Sequence, residues 1–280
     1  MTCYNGDKYL KESLKSIKSQ SYEMWELIFV DNNSTDDSKK ILLSNKDKRI
    51  KYFKLNKTVS LGKVRKFAYS KCYGNLITFL DVDDYWHKSK LAEQVKKFEI
   101  NNKIDILYSN YYQNTLNNLK KINKKLFSGY CQKNIIESYI NGSPLTAWLT
   151  LMIKKETIDK LDSTFDENLH ISSDFDLILR LSKFSYFDFS NKYLSYYRLH
   201  NNNLSKNNYQ EIAELNYIIH KYENDTSISN LLNFKNFSDK ILLKNYIYKK
   251  ILNKKNVDTI KLKNVFFKFL YLCIKIMPLF

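Results

Sequence analysis

The chain has 280 residues, 44% of them apolar, with only 5 Gly, 2 Pro and a formal net charge of +17. That length can bury one sizeable core and carry an extension. So little Gly and Pro excludes a many-turned sandwich and Gly- or Pro-rich linkers, and no run of about 20 apolar residues offers a spanning helix. Cys3, Cys72, Cys131 and Cys273 contain no Cys-x-x-Cys pair, and no secretory leader is recognisable. Free thiols in a reducing, cytoplasmic setting are therefore expected. His87, His170, His200 and His220 lack zinc-type spacing.

Leu10, Leu14 and Ile17 fall at i, i+4 and i+7, which predicts an amphipathic helix over 8–19. WELIFV (25–30) predicts a buried strand running into DNNSTDDS, where Ser34 and Asp37 have capping-box spacing for a helix over 35–44. IKYFKL (50–55) alternates as a strand does, 63–72 reads as a helix, and LITFL (76–80) as another buried strand. Leu91, Val95 and Phe98 mark a helix over 88–99, and IDILYS (104–109) a further strand. Strands alternating with helices predict an α/β fold with parallel βαβ units. Such sheets bind ligands at the carboxyl ends of their strands.

The second half is less regular. TAWLTLMI (146–153) predicts a strand, and FDLILRLSKF (175–184) a helix with Leu177, Leu181 and Phe184 on one side. FDFSNKYLSYYRLH (187–200) predicts strand–turn–strand. Beyond 205 the pattern is helical and basic, with nine lysines against one aspartate over 241–280. The expected layout is a domain over 1–204 and an appended basic helical region over 205–280. In VFFKFLYLCIKIMPLF (265–280), Lys268 and Lys275 interrupt an aromatic, apolar run. Such a segment suits an anionic membrane surface. A terminal helix packed on the domain with lysines in solvent is the plainer alternative.

At the mouth of the 76–80 strand stand Asp81, Asp83 and Asp84. Carboxylates this close repel one another unless something positive neutralises them. Hard divalent cations prefer carboxylate oxygens, and Mg²⁺ commonly combines one or two carboxylates with substrate phosphates. Asp-x-Asp at a strand end therefore suits a metal that bridges to a diphosphate. A solvated acidic turn capping the next helix is the competing reading.

The order of motifs is more specific than the acidic turn alone. A Thr-x-Tyr-Asn-Gly start, WELIFVDNNSTDDS, LGKVRKFAYSKCYGNLITFLDVDDYWHKSKL, FDENLHISSDFDLILRL and YYRLH follow one another over 1–205. This resembles family-2 glycosyltransferases of the GT-A fold, which build bacterial surface glycans such as lipopolysaccharide and capsule. The resemblance implies a mixed, mostly parallel, Rossmann-like sheet flanked by helices. It implies an inverting transfer from a nucleotide sugar, a UDP-sugar for preference, to a glycan or lipid-linked acceptor. Thr2, Tyr4 and Asn5 match the segment bordering the nucleotide pocket. Asp31 matches the carboxylate that accepts from the uracil N3–H, and Arg65 a residue that contacts phosphate. Asp81 matches the first DxD carboxylate, on ribose or a metal-bound water. Asp83 matches the ligand of Mn²⁺ or Mg²⁺, and Asp84 an assisting carboxylate. Asp174 matches the general base, which must take the acceptor hydroxyl proton. Asp176, two positions on, is expected to pair with Arg180 at i+4 instead. In YYRLH, Arg198 matches a leaving-group stabiliser and His200 a residue at the metal or diphosphate. Trp148 stands where either an acceptor wall or a core position would be.

Three departures from the family pattern stand out. Lys66 replaces an Asn after Arg65, and Ser173 stands where Glu is usual, which bears on acceptor choice. The third is the hydrophobic strand that the family places before its Thr-x-Tyr-Asn segment. The expectation is that this first strand is missing or shortened, with reduced stability or activity. A glycosyltransferase-like scaffold without catalysis is the alternative. The net charge is matched by no nucleic-acid-binding signature, and no Gly-rich phosphate loop supports a nucleotidyltransferase. Peripheral attachment to the inner face of the cytoplasmic membrane is expected, and a homo-oligomer is compatible with the sequence.

Overall fold

The computed structural model describes residues 1–115, 118–123, 127–130, 134, 135, 138, 147–204, 207–229, 238, 239 and 241. The basic aromatic segment 265–280, Cys131 and Cys273 lie outside the described residues. In chain order the elements are β1 (Thr2–Cys3), α1 (Asp7–Lys18), β2 (Leu27–Asp31), α2 (Ser38–Leu43), β3 (Ile50–Lys54) and α3 (Leu61–Tyr69). Then come β4 (Leu76–Thr78), β5 (Tyr85–Trp86), α4 (Lys90–Ile100), β6 (Ile106–Thr115), β7 (Asn118–Ile122) and β8 (Gly129–Tyr130). A single 3₁₀ turn (Trp148–Thr150) leads into β9 (Met152–Lys154) and α5 (Lys155–Asp159). The chain continues through α6 (Ser173–Leu181), β10 (Tyr186–Arg198), α7 (Asn208–Tyr222) and α8 (Thr226–Ser229).

β1, β2 and β3 form a parallel sheet in that order. A second sheet runs β4-β9-β6-β10-β5, with β7 on β6 and β8 on β10. Within it β6 and β10 are parallel, and the other pairings are antiparallel. Among the described residues, the two sheets meet at one isolated bridge, Thr2 with Asp81. The fold is α/β with a mixed sheet flanked by helices, as the sequence predicts. β2 is buried at every position, the mark of a strand covered on both faces. α1 turns Leu10, Leu14 and Ile17 onto the sheet, in the predicted phase.

Three local expectations change. Residues 187–200 do not turn back: β10 is one 13-residue strand, with register shifts around Tyr193 where it passes β6. The polar SNK run that reads as a turn is accommodated as a bulge instead. Ser34 and Asp37 form no capping box; Asp37 precedes α2 without a side-chain cap, and the Ser34 hydroxyl is used by the loop after β1. Trp148 lies in the 3₁₀ turn, not in a strand. It stacks on Phe79 at 3.8 Å and meets Phe165 edge-on, so its ring belongs to the core.

β1 is only two residues long, and the Met1 amino group donates to Ile28 O at 2.8 Å. Burial pushes that amino group below its usual value. Beside it lies a cavity of about 610 Å³, lined among others by Ile28, Ile77, Phe79, Phe98 and Trp148.

Under the sheet, Lys90 is fully buried without a carboxylate partner among the described residues. Its Nζ donates to Thr78 Oγ1 (2.9 Å) and Gln94 Oε1 (2.6 Å) and lies 4.4 Å from the Trp86 ring centre. Burial pushes the ammonium well below the usual lysine value. The unfolded chain therefore holds a proton that the native amine sheds, and stability rises with pH in the window below the unfolded lysine value. Lys90→Met removes this contribution. In urea melts between pH 7.5 and 9.5 the wild type is expected to gain more than the variant, by at most about 1.4 kcal/mol per pH unit. Parallel profiles would contradict the assignment.

Candidate active site

The cleft is built where β1, β2 and the acidic turn after β4 end together and α6 begins. On one side, Asn5 takes a positive φ of 50°, a conformation Asn tolerates better than most residues. Its N–H donates to Ser34 Oγ (3.0 Å) and its Oδ1 accepts from Thr35 N (2.9 Å). Gly6 N donates to Ser38 Oγ at 2.9 Å. These bonds tie the loop after β1 to the loop after β2. Tyr4 stands exposed on that loop. A Cβ on Gly6 would lie 2.6 Å from Val82 Cγ2, so only glycine lets the loop lie against the acidic turn.

Asp31 ends β2 with 1% exposure. Its Oδ1 accepts from Ser34 N (2.7 Å) and its Oδ2 from the Tyr52 hydroxyl (3.0 Å). Burial and that bond push the Tyr52 phenol up to about 12. Each Asp31 oxygen keeps a further acceptor position.

The three carboxylates of the turn have different surroundings. Asp84 is buried and accepts from Arg198 N at 2.8 Å; burial pushes it well above the usual carboxylate range, so it anchors the strand end. Asp83 Oδ2 lies 2.8 Å from His200 Nε2, and both side chains keep some exposure. Asp81 lies 3.7 Å from the Arg65 guanidinium. Burial pushes Asp81 up, Arg65 pulls it back, and the charges of Asp83 and Asp174 push it up again.

His200 follows β10 and is held from three directions. Asn203 Oδ1 accepts from His200 N at 2.6 Å. Tyr9 stacks on its ring at 4.9 Å, and Asp83 takes the far nitrogen. Arg198, two residues earlier, turns its guanidinium to Glu12 (2.8 Å) and lies over Tyr9 and Tyr85.

Asp174 is the second residue of α6 and is half-buried. Burial pushes its carboxyl above the usual range, Arg65 and the Phe175 N–H pull it down, and Glu214 pushes it up. Arg65, 6% exposed, bonds Ser173 Oγ at 2.6 Å and lies 4.3 Å from the Trp148 ring centre. It is thus wedged between Asp81 and the start of α6 and is not free in the cleft. Asp176 faces inward and pairs with Arg180, as its spacing predicts.

The structure therefore brings Asp81, Asp83, His200, Arg65 and Asp174 into one cluster, with Thr2 joined to it through the bridge to Asp81. Asp31, Tyr4 and Asn5 form the adjoining wall. Arg198 reaches the cluster through its backbone. Asn203, Tyr9, Glu12 and Glu214 are not legible in the motifs. Asn203 alone carries a local signal, an Arg-x-His-x-x-Asn spacing.

Residues 1–160 match the model of the glycosyl transferase family 2 domain. The chain belongs to glycosyl transferase family 2. It is 32% identical over 208 residues to an uncharacterised glycosyltransferase of Methanocaldococcus jannaschii, covering 72% of this chain and 70% of that protein. It is 30% identical over 174 residues to the Escherichia coli UDP-Glc:α-D-GlcNAc-diphosphoundecaprenol β-1,3-glucosyltransferase WfaP, covering 55% of this chain and 69% of that one. Two other matched relatives are longer, with the chain spanning 44% and 27% of them. Among solved structures, Staphylococcus aureus TarS in complex with UDP superposes with a TM-score of 0.67 at 19% identity, over 92% of this chain and 74% of that one. The family-2 fold is thus the GT-A fold, and the chain is a glycosyltransferase. Among the described residues no helix is long and apolar enough to cross a membrane.

Proposed function

We propose that this glycosyltransferase moves a sugar, with inversion, from a UDP-sugar to a glycan or lipid-linked acceptor at the cytoplasmic membrane face. The observation that carries the reading is the facing pair Asp83–His200, at 2.8 Å, in one cluster with Asp174. WfaP, the E. coli relative, is named for a UDP-sugar donor and an undecaprenol-linked acceptor. Attachment to an anionic membrane surface rests on the basic aromatic sequence 265–280.

The donor set suits a divalent metal. One carboxylate oxygen and one imidazole nitrogen converge, and among the described residues no third acidic, His or Cys ligand joins them. Two protein ligands fit an ion whose remaining positions are filled by diphosphate and water. Asp83 and His200 would hold Mn²⁺ or Mg²⁺, which neutralises charge on a diphosphate leaving group. Asp31 accepts from the base edge, and Thr2 of β1 with the following loop, Tyr4 and Asn5, closes the nucleotide side. Arg65 lends positive charge beside Asp81, and Arg198 lends it at the end of β10. Asp174 takes the acceptor hydroxyl proton as that oxygen attacks the anomeric carbon. The bond from that carbon to the diphosphate oxygen breaks, and its electron pair leaves with the nucleotide.

A panel of UDP-, GDP-, dTDP- and CMP-sugars, assayed with Mn²⁺ and with EDTA, tests this. One UDP-sugar is expected to turn over only with metal, and Asp83→Ala to lower that turnover by about 100-fold or more. Silence from every donor would favour a non-catalytic scaffold.

A further inference from the structure

α7 lies outside the motif-bearing stretch, yet it grips the first turn of α6 at two points. Glu214, 4% exposed, is the first. Its Oε1 accepts from His170 N (2.9 Å), and its Oε2 from Ile171 N and Ser172 N (both 2.8 Å). Gln210 Nε2 donates to Oε1 at 2.8 Å and holds the carboxylate in place. The second point is Asp176, which accepts from the Tyr222 hydroxyl (2.7 Å) and from Lys221 Nζ (3.0 Å).

Three consecutive backbone N–H groups turned onto one carboxylate form an anion nest. Hydrogen bonds to a charged group are stronger than neutral ones, so the 170–172 turn has little freedom. Ser173 and Asp174 follow at once, and Ser172 O receives Asp176 N at 3.1 Å. We propose that Glu214 is a positioning residue for glycosyl transfer, its carboxylate fixing the turn from which Asp174 projects into the cleft. The proposal rests on the reading of Asp174 as base.

The charges facing Asp174 come from three elements. Arg65 on α3 favours its ionised form, while Glu214 on α7 and Asp81 beside β4 oppose it. Removing the Glu214 charge therefore moves the Asp174 titration to lower pH; exposing Asp174 would move it the same way, so the variant that keeps the charge, Glu214→Asp, separates the two effects.

The test uses the full chain. Asp174 is followed by carbon-13 NMR titration, its signal assigned by its loss in Asp174→Asn, and UDP with Mn²⁺ serves as the binding probe. In Glu214→Gln the Asp174 titration is expected to move to lower pH and the Ile171 and Ser172 amides to exchange faster, with UDP binding unchanged. Glu214→Asp keeps the charge but shortens the reach. It is expected to speed exchange at the same amides while moving the titration less, and it decides the matter should the Gln variant not fold. With the active donor, kcat falls about 10-fold or more with the donor KM unchanged, the signature of a displaced catalytic group. An Asp174 titration and amide exchange that stay at wild-type values would overturn the proposal. Failure of the base reading is seen separately, as transfer surviving in Asp174→Asn.

Discussion

Asp174→Asn is expected to lower glycosyl transfer by about 10²- to 10⁴-fold, the usual contribution of a positioned base, and to leave UDP binding intact. The substitution keeps the shape and removes the proton acceptor. Asp174 touches neither Asp83 nor His200 in any hydrogen bond described, so the metal pair stays in place. Stability should move the other way. Burial raises the Asp174 carboxyl above its unfolded value, so the native state resists ionisation and loses stability as pH rises past the unfolded carboxylate range. Asn carries no such penalty, and the variant should melt at the same temperature as the wild type or higher at pH 7. For the same reason kcat/KM should fall as pH drops through the raised value, because protonated Asp174 accepts nothing. Asp176→Asn makes the contrast, since Asp176 is fully buried among Arg180, Lys221 and Tyr222. Lys221 keeps Asp166, but Arg180 loses its buried carboxylate partner, which costs about 3 kcal/mol. Full transfer by Asp174→Asn would remove it from the base role.

Gly62→Ala should damage both stability and transfer. A Cβ at Gly62 would lie 1.9 Å from Asp166 O and 3.0 Å from Leu169 O, and both are backbone atoms that cannot swing aside. Gly62 N also donates to Leu169 O at 2.8 Å, and Ser60 Oγ donates to Glu167 O. α3 and the 166–172 loop must then separate, which costs about 1–3 kcal/mol as overpacking does elsewhere. α3 carries Arg65 and the loop leads into Asp174, so the site opens with them. A shift of about 1 Å there lowers transfer by about 100-fold. Thermal melting and transfer rate together check this. Gly74→Ala is the control, because its nearest atom would be 3.6 Å away, an ordinary contact. Equal behaviour of the two variants would refute the packing argument.

Much of the cluster was legible because its signals are local. Apolar runs at 25–30 and 76–80 announce strands, and the carboxylates that follow them sit at strand ends by the rule of open α/β sheets. The 3.6-residue periodicity placed α1 and α4 within a residue or two of their observed limits. What was hidden depends on partners distant in sequence. The SNK run of β10 reads as a turn until β6 is there to pair with it. Ser34 looks like a cap until Asn5 claims its hydroxyl. Arg65 reads as a phosphate ligand from its neighbours, while its burial follows from Trp148 and Ser173, both far along the chain. Glu214 gives no signal at all, since an isolated Glu on a helix is ordinary and its three donors lie over 40 residues away.

The bridge between Thr2 and Asp81 has a mechanical consequence. The same residue that joins the two sheets through its backbone holds Arg65 through its carboxylate, and Arg65 in turn holds Ser173. Asp81 is the fulcrum of the molecule. In the proposed reaction, a nucleotide that binds at the Asp81 carboxylate is expected to pull on both sheets and, through one guanidinium, on the helix that carries Asp174. Under that proposal, loading of the donor and alignment of the base are expected to be two ends of one short lever.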